Sequence, residues 1–232
     1  MDRLPHYRPP AVLLPHGTVG NSASGIAPDV SKGKFGPFEE QLFVADQTHS
    51  VLNRCFLEKV NGYYQGACFP FVKGFGSGNV PVVQAPDGSL FSGGTDRGWG
   101  ARGGKRYALD RVVWTGKTPF EILEMRIQKD GFELEFTKSV DKTSAESLDS
   151  YEIKTHTYIF QGKYGSPRVD ASTPAIKSAK LAKDGKTVRL VVEGLQRGHI
   201  HELKSSGLRS KEENHPLLHE MAYYTIWHFP KS

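Results

Sequence analysis

Glycine and proline punctuate this chain at short, regular intervals, and that punctuation leaves room for little except β-structure. There are 25 Gly and 14 Pro in 232 residues, and the runs between them are short and rich in β-branched and aromatic side chains. No segment carries three turns of 3.6-residue periodicity, and the best helical stretch, 144–148, amounts to a single turn. Twelve segments read as strands: 42–44, 50–58, 66–71, 90–92, 111–114, 120–128, 131–137, 150–161, 176–182, 187–193, 199–204 and 222–229. In Phe132-Glu133-Leu134-Glu135-Phe136 the three apolar side chains fall on one face and the two glutamates on the other, as a half-buried strand requires. The expected fold is all-β.

Hydrophobic residues make up 38% of the chain, with 13 Phe and 9 Tyr, which is enough to build a core and too much for a disordered segment. No apolar run approaches the roughly 18 residues of a spanning helix, so no membrane span is expected. The beginning, Met1-Asp2-Arg3-Leu4-Pro5, has no apolar stretch followed by a small-residue cleavage site, so no export signal is visible, although a mature or truncated exported chain would read the same. Lys+Arg exceed Asp+Glu by 30 − 25 = 5, but the basic residues are spread out. Lys177, Lys180, Lys183 and Lys186 recur along one hairpin, where they solubilise a sheet edge, and no nucleic-acid partner is expected. Cys55 and Cys68 leave two states open, a bridge if adjacent strands bring them together or two buried thiols.

A change of texture near 114–119 divides the chain into expected domains 1–117 and 118–232. Before it glycine is dense and loops outnumber strands; after it strands of regular length alternate with turns such as Asp130-Gly131 and Asp184-Gly185. The first part holds two imperfect copies of one pattern about 50 residues apart, a spacing that suits propeller blades with elaborated loops.

The carrying motifs of that first part are ASGIA (23–27), QLFVAD (41–46) followed by LNR (52–54), and APDGSLF (85–91) followed by TD (95–96) and DRVVW (110–114). In these it resembles the closing blades of the glucose/sorbosone dehydrogenase family, six-bladed propellers that oxidise sugars with pyrroloquinoline quinone and calcium. The phrases DQTHS, LEKVNGYYQGACFPF, GWGARG and VWTGKTPFEI look like the tail of large bacterial proteins that carry such a propeller among several domains. The resemblance implies a periplasmic or extracellular setting. It also exposes a departure. The family's quinone-gripping lysine and arginine pair fall on Thr48, Gly78 and Val80, so all three charges are missing, and a tricarboxylate loses its charge-assisted donors. No cofactor is expected for this chain alone.

Strand-end loops facing one rim are where propellers bind ligands. Asp46, Gln47, Thr48 and His49 follow one strand, and Asp96, Arg97, Trp99 and Arg102 occupy the equivalent place in the second copy. Two readings stay open. In one, His49 exchanges protons as the candidate catalytic group, Arg97 or Arg102 holds an anionic or sugar ligand, and Trp99 stacks. In the other, the aspartates cap turns, Arg97 pairs with a carboxylate and Trp99 covers an apolar edge.

From Thr118 onward the sequence resembles a bacterial immunoglobulin-like domain, through GFELEFTKSVD (131–141), SYEI (150–153), DGKTVRL (184–190), GL (194–195), HEL (201–203) and GLRS (207–210). About seven strands in some 110 residues suit a two-sheet sandwich. His199 and His201 share a strand face and are the nearest approach to a metal pair, with His156 or His219 as a third ligand, but no HExxH or Cys/His spacing is present and no metal site is expected. Within 151–164, Tyr158 and Phe160 share a face and are expected in the core.

The leading expectation is a noncatalytic C-terminal module, two terminal blades and a bracing sandwich, whose partners are the missing blades or other copies of itself. The alternatives are a quinone-dependent sugar dehydrogenase completed by oligomerisation, and a carbohydrate-binding module stacking sugars on Tyr63, Tyr64, Trp99 and Tyr107.

Overall fold

A computed structural model describes residues 8–159, 161 and 165–231. Phe160 lies outside the described residues. Among the described residues the protein is all-β, with three antiparallel sheets, none closed into a barrel. The first sheet begins with β1 (Ala23–Pro28), β2 (Leu42–Asp46), β3 (Val51–Val60) and β4 (Tyr63–Lys73), each bonded to the next along the chain. A smaller meander follows, from β5 (Asn79–Gln84), β6 (Leu90–Thr95) and β7 (Tyr107–Val112), with β5 packed against β1 and β2.

The later strands are β8 (Ile122–Gln128), β9 (Gly131–Phe136), β10 (Glu152–Tyr158), β11 (Arg168–Ser172), β12 (Ala175–Leu181), β13 (Thr187–Glu193), β14 (His199–Lys204) and β15 (Met221–Ile226). Four form a sheet in the order β12-β13-β9-β8, and the other four extend the first sheet to β1-β2-β3-β4-β15-β14-β10-β11. The helical turn is α1 (Lys142–Glu146), capped by Asp141, whose carboxylate accepts from the Ser144 amide at 2.8 Å. No helix among the described residues is long and apolar enough to cross a membrane.

Local chemistry explains the hairpins. Asn61 and Gly62 join β3 to β4 at φ of 51° and 88°, the two left-handed positions of a tight turn whose twist matches the strands. Asp184 receives the amides of Lys186 (2.9 Å) and Thr187 (3.0 Å), fixing the turn between β12 and β13.

Three cores follow from the sheets. The largest lies between the four-stranded sheet and the facing part of the eight-stranded one, and it contains Phe132, Leu134 and Phe136, the apolar face of β9. Burying side chains of this size contributes about 1.5–3 kcal/mol each. Phe56, Val60, Ala67 and Phe69 of β3 and β4 belong to the same core, so packing runs across residue 117, as the eight-stranded sheet does. A second core, around Phe35, Phe38, Phe43 and Leu90, joins the first sheet to the small meander. The third covers the other face of the eight-stranded sheet, where Val12, Leu13 and Leu14 lie over Val44, Ile200 and Tyr223. Tyr158 packs there too, and its hydroxyl accepts from the His16 amide at 3.1 Å. Cys55 and Cys68 are directly opposite across β3 and β4, both buried and both free.

Candidate functional site

The loop after β2 and the loop after β6 meet. Gln47 Nε2 donates to the backbone carbonyls of Thr95 (3.0 Å) and Trp99 (2.9 Å), while the Thr48 carbonyl accepts from the Arg102 amide at 3.0 Å. Ser50 Oγ accepts from the Gly103 amide at 2.9 Å. Asp46 works inward: Oδ2 takes the amides of Asn21 (2.8 Å) and Ser22 (2.7 Å), and Oδ1 takes that of His49 (2.7 Å). Thr48 Oγ1 is 3.1 Å from Ser22 Oγ. Asp96 shapes the second loop through its backbone, accepting from the Trp99 amide at 3.2 Å. Gln47, Thr48 and Ser50 therefore latch the two loops together, while Asp46 ties its own loop to the segment before β1. Arg97 and Trp99 face outward, with Trp99 60% exposed.

Two of the loop residues reach a common cleft. His49 and Arg102 line a recess of about 220 Å³ together with Asn53, Lys73 and His219. His49 is buried, and burial followed by the nearby Arg102 charge lowers its pKa, with Asp46 opposing. His219 arrives from the far half of the chain, its Nδ1 2.6 Å from Oε1 of the buried Glu121. The recess therefore offers a neutral imidazole beside two cations, a setting able to accept a proton or hold a small anion. Lys73 and the His219–Glu121 pair were invisible to sequence reasoning, because 98 residues separate that pair and no spacing rule connects them.

The histidines of the second half do not converge. His201 is fully buried, lies edge-on to Phe132 with centroids 5.9 Å apart, and accepts the Gln196 amide at Nε2 (3.2 Å). His199 shares its strand face, with Nδ1 3.1 Å from the Arg197 carbonyl. His156 pairs in register with Ile200 and so projects from the opposite face, where Nδ1 is 3.4 Å from Glu202. Burial pulls the pKa of His156 down to about 4 and that of His201 to about 3. Among the described residues no group of three or more His, Cys, Asp or Glu is arranged to hold a metal ion.

Gly78 and Thr48 are closely packed against the loops around them. A Cβ on Gly78 would lie 2.3 Å from the Gln47 carbonyl and 2.7 Å from that of Thr95, and Thr48 is turned to Ser22.

Among the described residues, fold and site together define a β protein of three open antiparallel sheets, with a latched pair of loops beside a small basic recess. No protein-family model, curated protein or solved structure matches this chain.

Proposed function

We propose that this chain is a noncatalytic bracing module: two terminal blades of a six-bladed-type propeller closed off by an immunoglobulin-like sandwich, the C-terminal part of a glucose/sorbosone dehydrogenase-like multidomain protein. The observation that carries the reading is the pairing of β15 with β4, through Tyr223↔Cys68, Tyr224↔Ala67 and Thr225↔Gly66. It joins the last strand of one half to the outermost strand of the other's four-stranded meander. Buried polar bonds reinforce the seam. The Tyr224 hydroxyl donates to Glu58, which also accepts the Ile127 amide at 2.7 Å, and Gln65 donates to the Tyr224 hydroxyl at 2.9 Å.

Strand order supports both parts. β1 to β4 run in chain order, as in a blade, and β5 to β7 begin a second one. Lettering β8 onward as A, B, C, C′, D, E, F and G turns the two later sheets into DEBA and GFCC′, the division of an immunoglobulin-type sandwich.

The outer face of β5-β6-β7 supports a neighbour. Register places Val83, Phe91, Leu109, Tyr107 and Arg111 on that face, and Leu109 is 75% exposed. An open apolar sheet face invites association. Light scattering after size-exclusion chromatography should give a mass above 25.7 kDa that rises with concentration, and Leu109→Lys should return it to the monomer. A wild-type monomer at every concentration would overturn the reading. A single closed species near three times 25.7 kDa would replace it with ring completion by oligomerisation.

A further inference from the structure

At the tip of the β3–β4 hairpin lies a groove of about 510 Å³ that the bracing reading does not use. Its walls are Tyr63, Tyr64 and Trp227 with the cations Arg8, Lys59 and Arg197, and no carboxylate lines it. Tyr63 stacks on His228, with centroids 4.5 Å apart and planes at 22°, so that ring is braced from behind, and the Arg8 guanidinium lies 5.4 Å from its centroid. Lys59 pairs with Tyr64 in register, its ammonium 5.8 Å from the ring centre, and Tyr64 remains 61% exposed. Burial, then the adjacent Arg197, lowers the His228 pKa, which keeps the stacked imidazole neutral. The Trp227 indole N–H is already spent on the Pro10 carbonyl at 2.9 Å, which orients that ring as a wall.

We propose that this groove binds an acidic oligosaccharide, with Tyr64 as the stacking platform for a pyranose ring, Tyr63 as a braced wall, and Lys59 and Arg197 as anchors for uronate carboxylates. The chemistry selects this class in three ways. Cationic lining side chains that only donate, with no carboxylate among them, match a ligand that carries negative charge. Exposed tyrosines and a tryptophan offer flat amphipathic surface, suited to the C–H faces of a sugar. The volume falls within the usual range of ligand sites and admits a short oligomer. Single-stranded nucleic acid also stacks on aromatic rings, but it needs a cationic track following its backbone. Here Tyr63 has His228 stacked on it and Arg8 over the ring, so Tyr64 alone is left to stack, enough for one sugar ring but not for successive bases, and the cations cluster at one hairpin tip.

The test is isothermal titration of the full chain with trigalacturonate and a mannuronate trimer, against neutral cellotriose and a hexathymidylate at equal ionic strength. The expected result is binding of an acidic trisaccharide that weakens with salt, with Tyr64→Ala and Arg197→Gln each reducing affinity about tenfold or more. Both residues are exposed, so thermal melts of the variants should match wild type, and a control at the exposed Leu218, Leu218→Ala, should bind normally. Failure of both acidic trimers to bind at millimolar concentration overturns the proposal. So does equal binding of cellotriose, tighter binding of the oligonucleotide, or affinity unmoved by the two variants. None of these outcomes bears on the mass measurement that tests the bracing module.

Discussion

Acid should unfold this protein earlier than its carboxylates alone require, and His201 supplies a calculable share of the effect. The side chain is fully buried against Phe132 and accepts a backbone amide at Nε2, which an imidazolium cannot do. Its folded pKa lies near 3, while an unfolded histidine titrates near 6.5. Between those values the unfolded chain binds the proton and the folded chain refuses it. Stability from this group is therefore complete above about pH 6.5 and is lost as pH falls toward 3. Going from pH 7 to pH 4.5 raises the unfolded state's proton-binding polynomial by nearly two orders of magnitude and the folded state's hardly at all, a loss of about 2–3 kcal/mol. Urea unfolding at the two pH values measures it. Wild type should lose that amount in excess of His201→Leu, which lacks the titrating group and keeps an apolar body in the core. If the two proteins lose stability equally over this range, His201 is not held neutral in the fold and the account fails.

Two further perturbations probe the packing. Arg54 is buried between the rings of Phe38 and Phe69, at 4.7 and 4.3 Å from their centroids, and donates to Gln41 and to the carbonyls of Ile122 (2.5 Å) and Leu123 (2.7 Å). Arg54→Met strands the Ile122 carbonyl and leaves the buried Glu121 without its nearby cation, so urea unfolding should show a loss of about 3–5 kcal/mol, and a loss below about 1 kcal/mol would contradict the assignment. Gly66→Ala would put a Cβ 1.9 Å from the Phe56 carbonyl, and thermal melting should record a destabilisation at or above the upper end of the usual 1–3 kcal/mol for overpacking; an unshifted midpoint would mean that β3 and β4 are farther apart.

The strands that sequence reasoning missed share a physical trait. β1, β5 and β11 all lie at sheet edges, hydrogen-bonded to one neighbour only. An edge strand need not alternate, because little of it is buried, and β11 is almost wholly exposed. β5 carries Pro81, which removes an amide that an edge strand can spare and that an interior strand cannot. Period-2 reasoning finds strands through burial, so it recovers every interior strand and the edge strands β7, β8 and β12, and loses the other three edges. The same logic limits what was legible of the site. The sequence places the loops after β2 and β6 at two strand ends without fixing a contact between them, and Gln47 supplies that contact. Whether Asp46 and Gln47 face a ligand or their own backbone was not legible, since both uses ask for the same polar residues at a strand end.

Parity shows which face of a strand is buried but never which strand lies beside it, because every ladder offers the same backbone donors and acceptors. What admits β15 next to β4 is shape and a few buried polar atoms. Gly66, opposite Thr225, brings β4 close to β3 without a side chain, and Gln65 and Glu58 wait for the Tyr224 hydroxyl that only β15 supplies. The partners in that network stand about 160 residues apart in the chain, with |i−j| of 159 and 166. The feature that most shapes the functional reading, one sheet passing through both halves, therefore rests on residues that look ordinary where they stand in the sequence.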